Sequence, residues 1–161
     1  TAWDGTVLKA RNIIGAYKPE SKKRVMLCAH WDSRPYADND PDAKNHRKHI
    51  LGVNDGASGV GVLLEIARQI QLQTPELGID IIFFDAEDYG IPEFHTGSYK
   101  ADTWCLGSQY WARTPHVPNY YARYGILLDM VGGKGSTFYY EGYSSRTAQK
   151  EMKKIWKLQV N

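Results

Sequence analysis

Three acids, Asp85, Glu87 and Asp88, follow directly on the apolar run Ile81, Ile82, Phe83 and Phe84. Crowded carboxylates repel one another unless a cation neutralises them or one keeps a proton, so the cluster points to a metal site or an acid/base site. Acids also occur in solvated turns, and the other segments have to decide between the two readings. His30 and Asp32 follow the apolar segment Arg24 to Ala29, and Asp129 lies near the end of the apolar run Tyr124 to Met130. Asp55 sits in the glycine-lined turn Gly52 to Gly59. Zinc takes imidazole nitrogen and carboxylate oxygen at about 2 Å, and a catalytic zinc keeps one position open for water or substrate. These residues are of the types that form such a shell. Taken singly each is weak, because a histidine or aspartate at a strand end is more often a capping or hydrogen-bonded group.

Joint placement at one edge of one sheet would be the stronger signal. The β-branched and aromatic run before Asp85 predicts a strand buried on both faces, and ligands of open α/β sheets gather at the carboxyl ends of strands. Further strands are expected over Thr6 to Tyr17, Arg24 to Ala29, Tyr124 to Met130 and Ser136 to Tyr140. Val60, Leu63, Leu64, Ala67 and Ile70 recur at helical spacing, which predicts an amphipathic helix over Val60 to Leu72 with Ser58 near its N-cap. Leu106 to Arg113 reads as a short helix ended by Pro115, and Ser144 to Gln159 as a second amphipathic one. The segment Tyr89 to Thr103 is irregular, and the polar loop Arg34 to His49 is long enough to imply a role. The alternation of strands and helices indicates an α/β fold, three layers around a mostly parallel mixed sheet, with an antiparallel pair at its N-terminal edge.

The sequence has 161 residues, the length of about one domain, and its 20 Lys and Arg against 18 Asp and Glu leave a charge of +2. So small and scattered a surplus gives no footprint for nucleic acid or an anionic membrane. Lys44 to His49 and Lys150 to Lys157 are locally basic, which a solvated loop and a helix face explain. No apolar run approaches the roughly 20 residues that span a bilayer. Cys28 and Cys105 lack metal-type spacing and read as buried free thiols.

His30-Trp31-Asp32-Ser33, Asn54-Asp55-Gly56-Ala57-Ser58-Gly59, Phe84-Asp85-Ala86-Glu87-Asp88 and Leu128-Asp129-Met130 together resemble the ordered motifs of the M28 zinc aminopeptidases and their relatives, the animal-type glutaminyl cyclases. The resemblance runs from about Arg24 to Gly133. Trp31, the loop after Pro35 and the aromatic insertion before Leu106-Gly107-Ser108 make it most similar to the bacterial glutaminyl cyclase-like branch. It implies that Asp55 and Asp88 are zinc ligands and Glu87 the general acid/base. In a two-zinc peptidase His30 and Asp129 hold the second metal, Asp55 bridges and Asp32 orients His30. In a one-zinc cyclase the counterparts of His30 and Asp129 are hydrogen-bonding groups around the pocket, with Asp129 in the catalytic set. Trp104 is similar in placement to a residue lining the cyclase substrate pocket, and its alternative is a core or surface clamp.

The resemblance further implies peptide or protein N-termini as substrates and an exported, periplasmic or extracellular, location. Two departures accompany it. Asp88 stands where the family usually has Glu, one methylene longer. The family's last zinc ligand is a histidine well downstream of the Asp129 segment, whereas the last histidine of this sequence is His116. The expectation is therefore one catalytic-type domain over residues 1–161, incomplete at its C-terminal side and holding no stoichiometric zinc alone. His46, His49 and His95 match no motif and are expected at the surface. A noncatalytic member of the same fold is the rival class, and the joint presence of Asp55, Glu87, Asp88 and Asp129 argues against it.

Overall fold

Four strands form one mixed sheet in the order β1-β3-β2-β4: β1 (Ile13–Tyr17), β2 (Arg24–His30), β3 (Gly78–Phe84) and β4 (Gly125–Leu127). The computed structural model describes residues 1–98, 100–138 and 141–158. β2 runs parallel to both β3 and β4, and β1 closes one edge antiparallel to β3. Register sets His30 beside Phe84 and Cys28 beside Leu127, so the chain leaves all three parallel strands at the same edge.

The apolar run of β3 is buried along both faces, as its composition predicts. On one face Ile79 and Ile81 pack with Ala29 against Leu63 and Ile70 of helix α1 (Ala57–Gln73). On the other, Cys28, Ile82 and Phe84 meet Trp111 of helix α2 (Leu106–Arg113). Period-two alternation along one strand thus feeds two helical layers. A third helix, α3 (Arg146–Leu158), places Glu151 4.0 Å from Arg123.

Asp80 of β3 is 1% exposed and is the acceptor for Arg24, at 2.6 and 2.8 Å, and for the Tyr120 hydroxyl at 2.8 Å. A carboxylate buried in an otherwise apolar strand requires such partners, because desolvating an unpaired charge is expensive.

Several expected elements are shorter or absent. Residues before Ile13 leave the sheet because their polar groups are spent elsewhere: Arg11 N–H donates to the Asp85 carboxylate, and the Asn12 amide bridges Asp85 N and Gly107 O. β4 ends at Leu127 instead of Met130, since Met130 takes φ +50° and turns the chain. Ser136 to Phe138 form no strand; Ser136 closes a turn onto Gly133, and Tyr139 and Tyr140 lie outside the described residues. α1 starts three residues earlier than its apolar periodicity shows, at Ala57 after Gly56. Ser58 is inside the helix instead of capping it, and its hydroxyl donates to Asn54 O. α3 begins at Arg146 and is described to Leu158, with Gln159 outside the described residues.

Candidate metal centre

His30 ends β2, and the Asp85 to Asp88 turn follows β3. Asp129 follows β4, and Asp55 lies in the turn that enters α1. Parallel strands therefore bring together groups that are far apart in sequence. His30 is 2% exposed, and its ring is the centre of the cluster. Nε2 lies 2.9 Å from Asp55 Oδ1 and 3.6 Å from Asp129 Oδ1; Nδ1 lies 3.5 Å from Asp32 and 4.0 Å from Asp88. His30, Asp55 and Asp129 form one set of possible ligands and His30, Glu87 and Asp88 a second, with the donor atoms of each set within 4.8 Å of one another.

Two observations show that a cation suits this donor set. His30 Nδ1 and Asp88 Oδ2 are buried without a hydrogen-bond partner, which polar atoms seldom tolerate. The cluster also draws positive charge. Burial alone would lower the His30 pKa, but the carboxylates of Asp129, Asp32, Glu87 and Asp88 outweigh it and push it up to about 11. Burial, with the neighbouring Glu87 and Asp55 carboxylates, pushes Asp88 up to about 8. Protons gather where a metal ion would neutralise the same charge.

Local structure explains how the acids are held. Asp32 Oδ1 lies 3.5 Å from His30 Nδ1, longer than a good hydrogen bond. Its two oxygens instead accept the backbone N–H groups of Glu87 and Asp88, each at 3.0 Å. Asp85 separates from the other two acids, because its carboxylate is taken by the N–H groups of Arg11 and Ala86. Gly56 has φ +84°, and a Cβ there would meet Asp32 O at 2.8 Å and the His30 ring at 3.0 Å, so only glycine lets the Asp55 turn approach. Ala86, Cys105 and Met130 also take positive φ, and all three adjoin Glu87 or Asp129. Strained backbone of this kind clusters at functional sites.

Some contacts that hold the site carried no signal in the sequence. Asn54 and Ser58 accept the N–H groups of Gly132 and Val131 at 2.8 and 3.0 Å, tying the start of α1 to the turn after Asp129. The Cys105 thiol donates to Glu87 Oε1 at 3.2 Å, and the Cys105 N–H donates to Glu87 O at 2.9 Å. Cys105 is half-buried, not fully buried as expected, and burial together with the adjoining Glu87 carboxylate raises its pKa to about 12, so it stays a thiol donor. Trp104 is half-buried, with an indole N–H that has no partner.

Other histidines lie apart from the cluster. His49 and His95 are exposed, His46 is half-buried and bonded to Asp40 O at 2.8 Å, and His116 is exposed and accepts from Trp111 Nε1 at 3.2 Å. A cavity of about 450 Å³ lined by Leu8, Asn12, Ile14, Leu106 and Trp111 touches the acidic turn only through Ala86. None of His30, Asp55, Glu87, Asp88 and Asp129 lines it.

Among solved structures, that of Bacteroides thetaiotaomicron glutaminyl cyclase bound to N-acetylhistamine is similar at TM-score 0.93 and 68% identity, over 97% of this chain and 53% of that one. A Zn-dependent exopeptidase from Parabacteroides distasonis is similar at TM-score 0.93 and 63% identity, over 98% of this chain and 53% of that one. The glutaminyl-peptide cyclotransferase of Bos taurus is 29% identical over 150 residues, which span 79% of this chain and 38% of that protein. The chain thus spans about half the length of the two solved structures. Both the family and the exopeptidase neighbour point to zinc. The match to the model of peptidase family M28 extends over residues 12–161, through every strand end and turn that meets at His30, and the chain belongs to that family.

Proposed function

We propose that the full-length protein is a zinc-dependent glutaminyl-peptide cyclotransferase, which converts an N-terminal glutamine to pyroglutamate with release of ammonia. The observation that carries this reading is the 68% identity to the Bacteroides thetaiotaomicron cyclase over 97% of this chain. In this chain Asp55 and Asp88 are the residues to hold the metal. Zinc, when bound, supplies Lewis-acid polarisation of a carbonyl.

Glu87 is the general acid/base. It takes a proton from the attacking α-amine and delivers one to the departing amide nitrogen. Attack is intramolecular, so the pocket need only hold the glutamine side chain folded back on its own amine. Asp32 keeps Glu87 and Asp88 in place through their backbone. His30 and Asp129 are hydrogen-bonding groups beside them, and Trp104 is a wall of the substrate pocket.

The substrates are peptide or protein N-termini, and the protein acts outside the cytoplasm. Among the described residues no helix is long and apolar enough to cross a membrane.

A second reading is a two-zinc aminopeptidase. The set of His30, Asp55 and Asp129 favours it, since those donors lie close enough together for a second ion, and the exopeptidase neighbour supports it. Glu87 would then take its proton from the attacking water. Assay of the full-length protein with an N-terminal glutaminyl peptide and an aminoacyl amide, with zinc counted per chain, separates the two. Ammonia from the peptide with one zinc supports the cyclase. Free amino acid from the amide with two zincs would overturn it.

A further inference from the structure

Two segments left without a role by the active-site chemistry are the long loop that starts at Arg34 and the aromatic insertion between Asp88 and α2. They interlock. Arg34 and Asp38 are 8% and 5% exposed and form a forked pair: Arg34 Nε donates to Asp38 Oδ1 at 2.7 Å and Nη2 donates to Oδ2. The remaining oxygen capacity of Asp38 accepts the Glu93 N–H at 2.8 Å. Tyr36 meets Phe94 edge to face at 5.3 Å, and Arg47 lies over Phe94 at 4.5 Å.

Arg34 also reaches the site itself. Nη1 donates to Asp88 O at 2.8 Å, and the guanidinium lies over the Trp104 ring at 4.5 Å. Gly90 also abuts that ring: a Cβ there would come within 2.0 Å of the indole, so no other residue would admit it. One guanidinium therefore touches, at once, a buried carboxylate, the backbone of a candidate metal ligand and the face of a candidate pocket residue. Arginine suits this because its planar fork can bond along its edge and stack through its face, which an ammonium cannot do.

We propose that Arg34 is a positioning residue: paired with Asp38, it locks the long loop and the aromatic insertion into one preformed wall, and so sets the places of Asp88 and Trp104. The proposal rests on the reading of Asp88 as a metal ligand and Trp104 as a pocket wall. It makes the start of the long loop, from Arg34 to Asp38, a brace and not a closing lid.

The test uses the full-length protein and three variants: Arg34→Met, Arg34→Lys, and Arg34→Met combined with Asp38→Leu. Each is measured for unfolding midpoint, zinc Kd by chelator competition, and KM and kcat per bound zinc with a glutaminyl peptide. Arg34→Met alone strands a buried carboxylate and lowers the midpoint, and the double variant recovers part of the loss because apolar side chains replace the buried pair, while the Glu93 N–H and Asp88 O lose their partners. In that partly recovered variant zinc Kd still rises about tenfold or more, the usual effect of losing a group that holds a metal ligand. KM rises about three- to tenfold from the lost stacking on Trp104. Arg34→Lys keeps the charge opposite Asp38 and shows the same direction of change.

Wild-type zinc Kd and KM in the double variant, or in a folded Arg34→Lys, would overturn the proposal and leave the pair a purely structural one. If the wild-type protein does not cyclise the peptide, it is the proposed function that fails, and the zinc measurement still decides the role of Arg34.

Discussion

Asp32 accepts the backbone N–H of Asp88 at 3.0 Å, and its other oxygen accepts that of Glu87 at the same distance. The end of one strand thereby shapes the turn that follows its neighbour. Replacing Asp32 with Ala frees both N–H groups. Zinc affinity of the full-length protein is expected to fall about 10- to 100-fold, as for other groups that orient metal ligands. Competition against a chelator measures this, and unchanged affinity would show that the turn keeps its shape unaided.

Cys105 holds Glu87 by side chain and backbone together. A hydrogen bond contributes roughly 1 kcal/mol net, so Cys105→Ala should lower kcat by about three- to tenfold while KM stays unchanged. Cys105→Ser keeps a donor at the same place and should retain most of the rate. Equal kcat in the alanine variant would remove Cys105 from any part in placing the carboxylate.

The metal-free protein should lose stability as pH rises from 5 to 9. Asp88, raised to about 8, and His30, raised to about 11, each bind more protons when folded than when unfolded. Stability therefore falls with pH through both intervals, Asp88 acting first and His30 above its ordinary value near 6.5. The carboxylates with lowered pKa, Asp32 and Asp38, act in the opposite sense but only in acid, below the usual carboxylate range. Urea midpoints in excess chelator test the slope, and Asp88→Asn should flatten it below the ordinary His30 value of 6.5 and leave the His30 slope above it.

Asp80 offers a contrast away from the metal ligands. Asp80→Ala leaves Arg24 buried without its partner, and the expected loss is about 3–5 kcal/mol in urea unfolding. Tyr120→Phe removes a single bond to the same carboxylate and should cost about 1 kcal/mol. Zinc Kd of the folded fraction should not change in either variant. A change would mean that the sheet transmits this strain to its carboxyl edge.

Much of the fold is legible in residue order. The run from Ile79 to Phe84 can be satisfied only by burial on both faces, and the periodicity of Val60 to Ile70 only by a helix against one of them. Pairing limits are less legible, because they depend on where polar groups elsewhere find partners. The strand expected from Thr6 shrinks to Ile13 since Arg11 and Asn12 bond to the acidic turn, more than 70 residues away in sequence. The strand expected at Ser136 is missing from the described residues for a similar reason, as Gly132 and Val131 are drawn to Asn54 and Ser58.

By itself the sequence marked out which groups are candidates for the chemistry. Side-chain type and position after apolar runs single out His30, Asp55, Glu87, Asp88 and Asp129, because those properties are local. Only the tertiary structure decided the division of labour among the acids. Asp85 becomes a turn anchor, Asp32 a backbone clamp, and Asp88 a buried carboxyl beside His30 whose Oδ2 has no hydrogen-bond partner. The physical reason is that a carboxylate's role is set by the donors that reach it, and those arrive from strands and loops brought together only by the sheet.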